Sequence, residues 1–159
     1  RRSSDLLTDN KLTKLGFFVA KTIQLKPNSA DKEAISKIVN TLKQGNNIMI
    51  FPEGTRSRNG KMMEGKRGLI LMAKLSKATI VPMGIWGTEK LLPIDDRDMA
   101  LEKFHHADVN IDIGEPIMLP SKNVEEDRDE YYDRAMNEIM SSIAILLPEK
   151  YRGVYSKCK

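Results

Sequence analysis

The segment from Phe51 to Ser57 places a carboxylate, a glycine and an arginine in one short loop, in the order Phe-Pro-Glu-Gly-Thr-Arg-Ser. An apolar run of the chain ends at the proline. In α/β proteins, ligands bind outside the carboxyl ends of the strands, where a loop of this kind would lie. Glycine lets backbone approach an anion, and arginine can bind a phosphate through two parallel hydrogen bonds. The segment therefore predicts a phosphate site.

A second basic group follows at Lys66 and Arg67, between Gly65 and Gly68. The pattern places these residues at the start of a helix, where positive charge is unfavourable beside the helix dipole. An anion bound between the helix amides and the two side chains would remove that cost. A solvated turn is the alternative interpretation.

The stretch from Gly60 to Arg67 also approaches the G-x-x-x-x-G-K-[ST] loop of nucleoside triphosphatases. Arg67 stands where that loop needs a hydroxyl group to hold magnesium. The preceding apolar run ends at Phe51, several residues too early for a strand that leads directly into such a loop. Both departures argue against a nucleoside triphosphatase.

The elements that must position these loops follow from the spacing of apolar residues. The spacing predicts helices over 12–20, 31–44, 67–76 and 125–147, and strands over 22–25, 47–51, 79–86 and 109–113. Strand–helix–strand order favours parallel pairing with right-handed crossovers. The sequence thus predicts an α/β fold with a mainly parallel sheet flanked by helices, in a single domain over 1–159.

The ends of two predicted helices carry signals of their own. Ser29 is a candidate N-cap for the helix over 31–44, and Gly45 is a candidate stop. Asn123 and Glu126 have the spacing of a capping box at the start of the last helix.

Composition narrows the class of partner. The 159 residues are 40% hydrophobic and 30% charged, which is typical of a globular protein, and the formal net charge is +4. A mild positive excess suits an anionic partner, whereas an aromatic content of 6% argues against nucleic acid. No apolar run approaches the roughly 20 residues of a membrane-spanning helix.

Cysteine and histidine give little support for redox or metal chemistry. Cys158 is the single cysteine, so no intrachain disulfide is possible and a reducing compartment is favoured. His105 and His106 are the two histidines, and they lack the three or four convergent ligands of a metal site. We interpret them as loop residues and expect no metal.

Three blocks of the sequence together resemble the glycerolipid acyltransferase family, whose best-known members are the 1-acylglycerol-3-phosphate acyltransferases. The blocks are Phe51–Ser57, Gly65–Gly68 and the run Ile80-Val81-Pro82-Met83-Gly84-Ile85. Their order and gaps agree with the family, and the resemblance extends from about Leu12 to about Leu119.

The resemblance implies roles for individual residues. Arg56 would bind the phosphate of the acceptor, in agreement with the phosphate site predicted from the loop itself. The acceptor-phosphate group as a whole would be Glu53, Gly54, Thr55, Arg56, Ser57, Lys66 and Arg67, and the acyl-donor side of the pocket would be shaped by Val81 and Pro82.

The resemblance also implies a reaction and a location. A fatty acyl group would pass from acyl-CoA or acyl carrier protein to the free hydroxyl of lysophosphatidic acid, forming phosphatidic acid in phospholipid synthesis. The protein would act at the cytoplasmic face of a membrane surface, peripherally or through an anchoring N-terminal segment. A histidine oriented by an aspartate would serve as general base, with no cofactor beyond the thioester co-substrate.

One departure from the family concerns this base. The family's H-x-x-x-x-D spacing is absent, because Asn110 lies five residues beyond His105 and Ile111 five beyond His106. We expect this His–Asp pair to lie upstream of Arg1, and we expect the chain without it to be nearly inactive. A noncatalytic module that binds a phospholipid or phosphometabolite is an alternative, and so is a sibling transferase for another lysolipid or glycerol 3-phosphate.

Overall fold

A computed structural model describes residues 23, 32–95, 97 and 101–157. The chain forms two compact units, 1–46 and 47–159, which we describe one at a time. The helix predicted over 12–20 lies outside the described residues, as do Ser29 and all but one residue of the strand predicted over 22–25. The single-domain organisation stays a prediction.

The first unit contains α1, which spans Lys32–Lys43 and confirms the helix predicted over 31–44. The helix stops at Gly45, whose φ is +80° and whose N–H donates to the carbonyl of Leu42 (3.0 Å). Glycine adopts this left-handed conformation without steric cost, which explains the stop. The buried side chains of the helix are Ala34, Ile38 and Val39.

The second unit holds the remaining described elements. In chain order they are α2 (Gly68–Ser76), β1 (Met83–Trp86), α3 (Thr88–Leu91), β2 (Asn110–Ile113), α4 (Arg128–Ala144) and two 3-10 turns, Glu149–Tyr151 and Gly153–Tyr155. The helices predicted over 67–76 and 125–147 are confirmed, and so are the strands predicted over 79–86 and 109–113, each over a shorter range.

The sheet of the described residues is a two-stranded antiparallel pair, which corrects the expected parallel pairing. Met83 lies opposite Ile113 and Trp86 lies opposite Asn110. Beyond the strands, Ile80 and Ile117 exchange two backbone hydrogen bonds of 2.8 Å. Antiparallel pairing needs no crossover, and periodicity does not encode the direction of a partner strand.

The strand predicted over 47–51 is also corrected. These residues have no strand assignment in the part of the chain that the structure describes. Met49 and Phe51 are each about two-thirds exposed, which is unlike the buried strand expected from their apolar character. A strand is defined by hydrogen bonds to a neighbour, and a run of apolar residues does not specify one.

The core of the second unit lies where α4 packs on α2 and β1. Ile70, Ile139 and Met140 have the largest fully buried side chains. Gly65 enters this contact at the end of the loop before α2, since a Cβ there would lie 2.5 Å from Sδ of Met136. Trp86 packs against the same cluster.

The N-terminus of α4 is capped by Asp127, not by Asn123 as the spacing suggested. The Asp127 carboxylate accepts from the backbone N–H groups of Asp129 and Glu130, and Glu130 accepts from the N–H of Asp127 in return. Glu126 accepts from the backbone N–H of Asn123, which is half of a second box. Of the helices in the described ranges, none has both the length and the apolarity needed to cross a membrane.

Candidate functional site

The loop after residue 51 is closed by its own backbone. The N–H of Gly54 donates to the carbonyl of Phe51 (3.1 Å), and the N–H of Lys66 donates to the carbonyl of Pro52 (2.8 Å). Gly54 has a φ of +72°, a backbone conformation that residues with a Cβ rarely adopt. The second bond brings the start of α2 to the start of the loop, so two of the three predicted blocks meet here.

Glu53 supports the loop from inside. Its Oε2 accepts a hydrogen bond from the backbone N–H of Met63 (3.0 Å), and the carboxyl group is partly buried. Burial raises the pKa of Glu53 above its ordinary value of 4.5, and the hydrogen bond from Met63 offsets part of that rise. The observed contact gives Glu53 a role in the shape of the loop, while its predicted contact with the acceptor stays a prediction.

Ser57 stabilises the next turn of the loop. Its hydroxyl donates to Oδ1 of Asn59 (2.9 Å), and the same oxygen accepts from the backbone N–H of Lys61 (3.0 Å). Thr55 is exposed beside it. The predicted contacts of Thr55 and Ser57 with the acceptor phosphate stay predictions.

Arg56 is held by a carboxylate that sequence reasoning missed. Its Nη1 and Nη2 donate to Oε2 and Oε1 of Glu102 (2.9 and 2.8 Å). The Glu102 side chain is 5% exposed and that of Arg56 is 44% exposed. Hydrogen bonding and charge from Arg56 lower the pKa of Glu102, and the pKa of Arg56 is raised in return. The two residues lie 46 positions apart and Glu102 belongs to no motif, so no local signal could have indicated the pair.

Lys66 lies close to Gly54, near the start of the loop. A Cβ on Gly54 would be 3.5 Å from Cγ of Lys66, so the two residues are in van der Waals range. Lys66 is exposed, and within the described ranges its ammonium group makes no ion pair with a carboxylate. In the described part of the chain, Lys66 is thus a cation beside the predicted loop that an anion can reach.

Arg67 points its hydrogen-bond donors at α4. Its Nε and Nη2 donate to the two carboxylate oxygens of Asp133 (2.7 and 2.6 Å), and Nη1 donates to Asp129 (3.1 Å). These carboxylates compensate the positive charge at the start of α2, a compensation that the sequence had predicted from a bound anion. A contact of Arg67 with phosphate stays a prediction that competes with the ion pair.

Val81 and Pro82 lie at the entry to β1. Val81 is about half exposed, whereas Pro82 is buried and its carbonyl accepts from the N–H of Gly114 (2.9 Å). Pro82 therefore fixes the end of the sheet. Their role on the acyl-donor side stays a prediction.

The histidines lie in a loop, as predicted. His105 and His106 are both exposed, and the backbone N–H of His105 donates to the carbonyl of Leu91 (2.8 Å). Neither is in the group of residues that forms the loop around Arg56, and we assign no catalytic function to either.

The C-terminal 3-10 turns hold the far side of the loop, which the sequence did not indicate. The N–H of Met62 donates to the carbonyl of Tyr151 (2.9 Å), and the N–H of Val154 donates to the carbonyl of Met62 (3.4 Å). The Tyr151 hydroxyl donates to Glu89 (2.9 Å), which lies against Gly60. The loop is therefore supported at both ends and in its middle.

A wide groove along α4 is a poor alternative site for an anion. It is bordered by carboxylates, and Arg134 within it is already bound to Glu126 and Glu138. A phosphate there would meet net negative charge. The loop around Arg56 and Lys66 is the better candidate.

Comparison with known proteins identifies the family. A family model described as Acyltransferase matches residues 3–86, which is more than half of the chain. The chloroplastic 1-acyl-sn-glycerol-3-phosphate acyltransferase BAT2 of Brassica napus is 29% identical over 85 residues, covering 54% of this chain and 24% of that protein. The 1-acyl-sn-glycerol-3-phosphate acyltransferase of Cocos nucifera is 39% identical over 61 residues, covering 38% and 20%.

A solved structure has a similar fold. The 1-acyl-sn-glycerophosphate acyltransferase PlsC of Thermotoga maritima superposes with a TM-score of 0.52 and 26% sequence identity, over 71% of this chain and 44% of that one. The similarity confirms the predicted α/β class. The matched part of the chain spans about a quarter of the length of the first curated relatives. These findings confirm the resemblance carried by the three sequence blocks: the chain belongs to the acyltransferase family and is similar to its 1-acyl-sn-glycerol-3-phosphate acyltransferases.

Proposed function

We propose that this chain is the acceptor-recognising part of an enzyme that acylates lysophosphatidic acid to phosphatidic acid in phospholipid synthesis. In the reaction, the acceptor hydroxyl attacks the thioester carbonyl of acyl-CoA or acyl carrier protein. An ester bond forms, the carbon–sulfur bond breaks, and the hydroxyl proton ends on the released thiol. The family membership and the names of the relatives support this reaction.

The observation that carries the proposal is the state of Arg56. Its guanidinium is fixed at one end by Glu102 yet remains nearly half exposed at the surface of the loop. Arginine binds phosphate through paired, charge-assisted hydrogen bonds, so a fixed and exposed guanidinium suits a phosphate monoester. Lys66 on the same loop adds a second positive charge for the same group.

The location and donor follow from the proposed substrates. Lysophosphatidic acid is a membrane lipid, so we place the enzyme at the cytoplasmic face of a membrane, where either thioester donor would reach it. The transfer itself needs a proton acceptor and no cofactor. We restrict the role of this chain to acceptor recognition, because none of its histidines has an aspartate at H-x-x-x-x-D spacing.

The absence of H-x-x-x-x-D spacing favours a second candidate function. A module that binds a phospholipid or a phosphometabolite without transferring an acyl group would keep Arg56 and Lys66 and would need no His–Asp pair. A sibling transferase that acts on another lysolipid or on glycerol 3-phosphate would share the phosphate loop as well.

One experiment separates these functions. The full-length protein is incubated with labelled acyl-CoA or acyl carrier protein and, in parallel, with lysophosphatidic acid, lysophosphatidylcholine or glycerol 3-phosphate. Labelled phosphatidic acid is expected from lysophosphatidic acid. Transfer to another acceptor in preference indicates the sibling enzyme, and binding of lysophosphatidic acid without transfer indicates the module.

The role of Arg56 is tested in the same assay. Arg56→Ala should raise the KM for lysophosphatidic acid by at least about tenfold, because a charge-assisted phosphate contact is lost. Arg128→Ala is the matched control, since Arg128 is an exposed arginine that lies over the ring of Tyr132 on α4. An unchanged acceptor KM in Arg56→Ala would show that Arg56 does not bind the phosphate.

A further inference from the structure

Glu102 approaches Arg56 in an end-on geometry that uses only part of the guanidinium. The carboxylate takes one hydrogen from Nη1 and one from Nη2. Arginine carries five N–H donors, so three remain, among them the donor on Nε. Within the described part of the chain, Nε of Arg56 has no hydrogen-bond partner. The edge formed by Nε and Nη2 can therefore take a second two-point acceptor.

We infer that Glu102 is a positioning residue, which holds Arg56 by its end so that the Nε edge is presented to the acceptor phosphate. This inference rests on the proposed function, because it assumes that Arg56 binds that phosphate. It assigns to Glu102 a part in acceptor recognition without any contact with the substrate.

The burial of Glu102 argues that the pair persists when the phosphate binds. Only 5% of the Glu102 side chain is exposed, against 44% for Arg56. If the phosphate displaced Glu102, it would leave a poorly hydrated carboxylate without its cation, which is strongly unfavourable. In this pair, Glu102 is the buried carboxylate and Arg56 is the exposed cation.

The geometry distinguishes positioning from competition. A carboxylate that competed with the phosphate would weaken acceptor binding, so its removal would lower the acceptor KM. If the carboxylate instead positions Arg56, its removal raises the acceptor KM, even though the site becomes more positive. The sign of the change in KM therefore separates the two roles.

The test compares Glu102→Gln, Arg56→Lys and the double variant in the full-length protein, with lysophosphatidic acid as the acceptor. Glutamine keeps the size of the side chain but loses the charge and one of the two acceptor oxygens. Glu102→Gln is expected to raise the acceptor KM about five- to tenfold, with kcat and the KM for acyl-CoA changed less than twofold. Lysine cannot form the two-point contact, so adding Glu102→Gln to Arg56→Lys should have little further effect.

Glu138→Gln is the matched control, because Glu138 also accepts from an arginine, Arg134, on the exposed face of α4. Its acceptor KM should equal that of the parent protein. The inference is overturned if Glu102→Gln lowers or does not change the acceptor KM while Arg56→Ala raises it. It is also overturned if the effects on KM add in the double variant, or if the KM values for donor and acceptor rise together. If Arg56→Ala itself leaves the acceptor KM unchanged, Arg56 does not bind the phosphate, and the proposed function of the loop is wrong.

Discussion

Arg67 and Asp133 form a two-point ion pair between the start of α2 and the face of α4, with Nε–Oδ1 and Nη2–Oδ2 distances of 2.7 and 2.6 Å. Asp129 takes the remaining terminal nitrogen. All three nitrogens of this guanidinium thus have partners within the protein, whereas Nε of Arg56 has none in the described ranges. The two arginines of the predicted phosphate site are therefore not equivalent.

This difference predicts unequal effects on acceptor binding. Arg67→Ala should raise the KM for lysophosphatidic acid by less than threefold, well below the effect of Arg56→Ala, because a phosphate would have to displace two carboxylates to reach it. The thermal midpoint of Arg67→Ala should fall only slightly, since exposed ion pairs contribute little to stability. Steady-state kinetics and a thermal melt measure both quantities. Equal increases in acceptor KM would contradict the prediction and would place Arg67 on the phosphate.

The cap of α4 gives a second prediction, in which the two candidate caps serve as a matched pair. Asp127→Ala removes the acceptor for two backbone N–H groups and should lower the free energy of unfolding by about 1 kcal/mol. Asn123→Ala should leave it nearly unchanged, because Asn123 contributes its backbone N–H, not its side chain, to the contact with Glu126. Urea unfolding measures both values. A larger loss of unfolding free energy in Asn123→Ala would indicate that Asn123 caps the helix, as the spacing suggested.

The elements that sequence predicted best are those whose signal is local. The helices α1, α2 and α4 follow from a 3.6-residue period, and the stop at Gly45 follows from the left-handed preference of glycine. Two consecutive boxes begin at Asn123 and Asp127, so spacing could not decide which one caps the helix.

Pairing between distant residues had no comparable signal. The direction of the β1–β2 pair depends on how the chain returns from Trp86 to Asn110, and no residue pattern records that path. The same limit applies to the contact of Arg56 with Glu102 and to that of Arg67 with Asp133. The motif predicted which residues belong to the site, whereas the structure was needed to find what holds them.

Glu53 predicts a dependence of stability on pH. Its pKa is raised in the folded protein, so between 4.5 and that raised value the folded state binds more protons than the unfolded state. The contribution of Glu53 to the free energy of unfolding is therefore greatest at low pH and declines as the pH rises through this window. Glu53→Gln removes this decline but keeps an acceptor for the N–H of Met63. The difference in free energy of unfolding between Glu53→Gln and the parent should shift in favour of the variant from pH 4 to pH 7.

The control for that experiment is Glu53→Ala. It removes the titrating group as well, but it leaves the N–H of Met63 without its acceptor. Its free energy of unfolding should therefore be about 1–2 kcal/mol lower than that of Glu53→Gln at every pH. Denaturant unfolding at a series of pH values gives both the offset and the slope. If the parent and Glu53→Gln have the same slope between pH 4 and pH 7, burial of Glu53 does not control its proton.

Gly153 connects the C-terminal turns to the loop that carries Arg56, and its replacement should be more costly than that of another left-handed glycine. Gly153 has a φ of +52°, and a Cβ there would collide with the carbonyl oxygen of Met62, a backbone atom that cannot move aside alone. Gly54 has a φ of +72°, but its Cβ would meet nothing closer than Cγ of Lys66 at 3.5 Å. Gly54→Ala should therefore lose about 1–2 kcal/mol from backbone strain. Gly153→Ala should lose that amount and a further 1 kcal/mol or more, about the cost of overpacking. Equal losses in denaturant unfolding would mean that the C-terminal turns do not press on Met62 and do not fix the loop that carries Arg56.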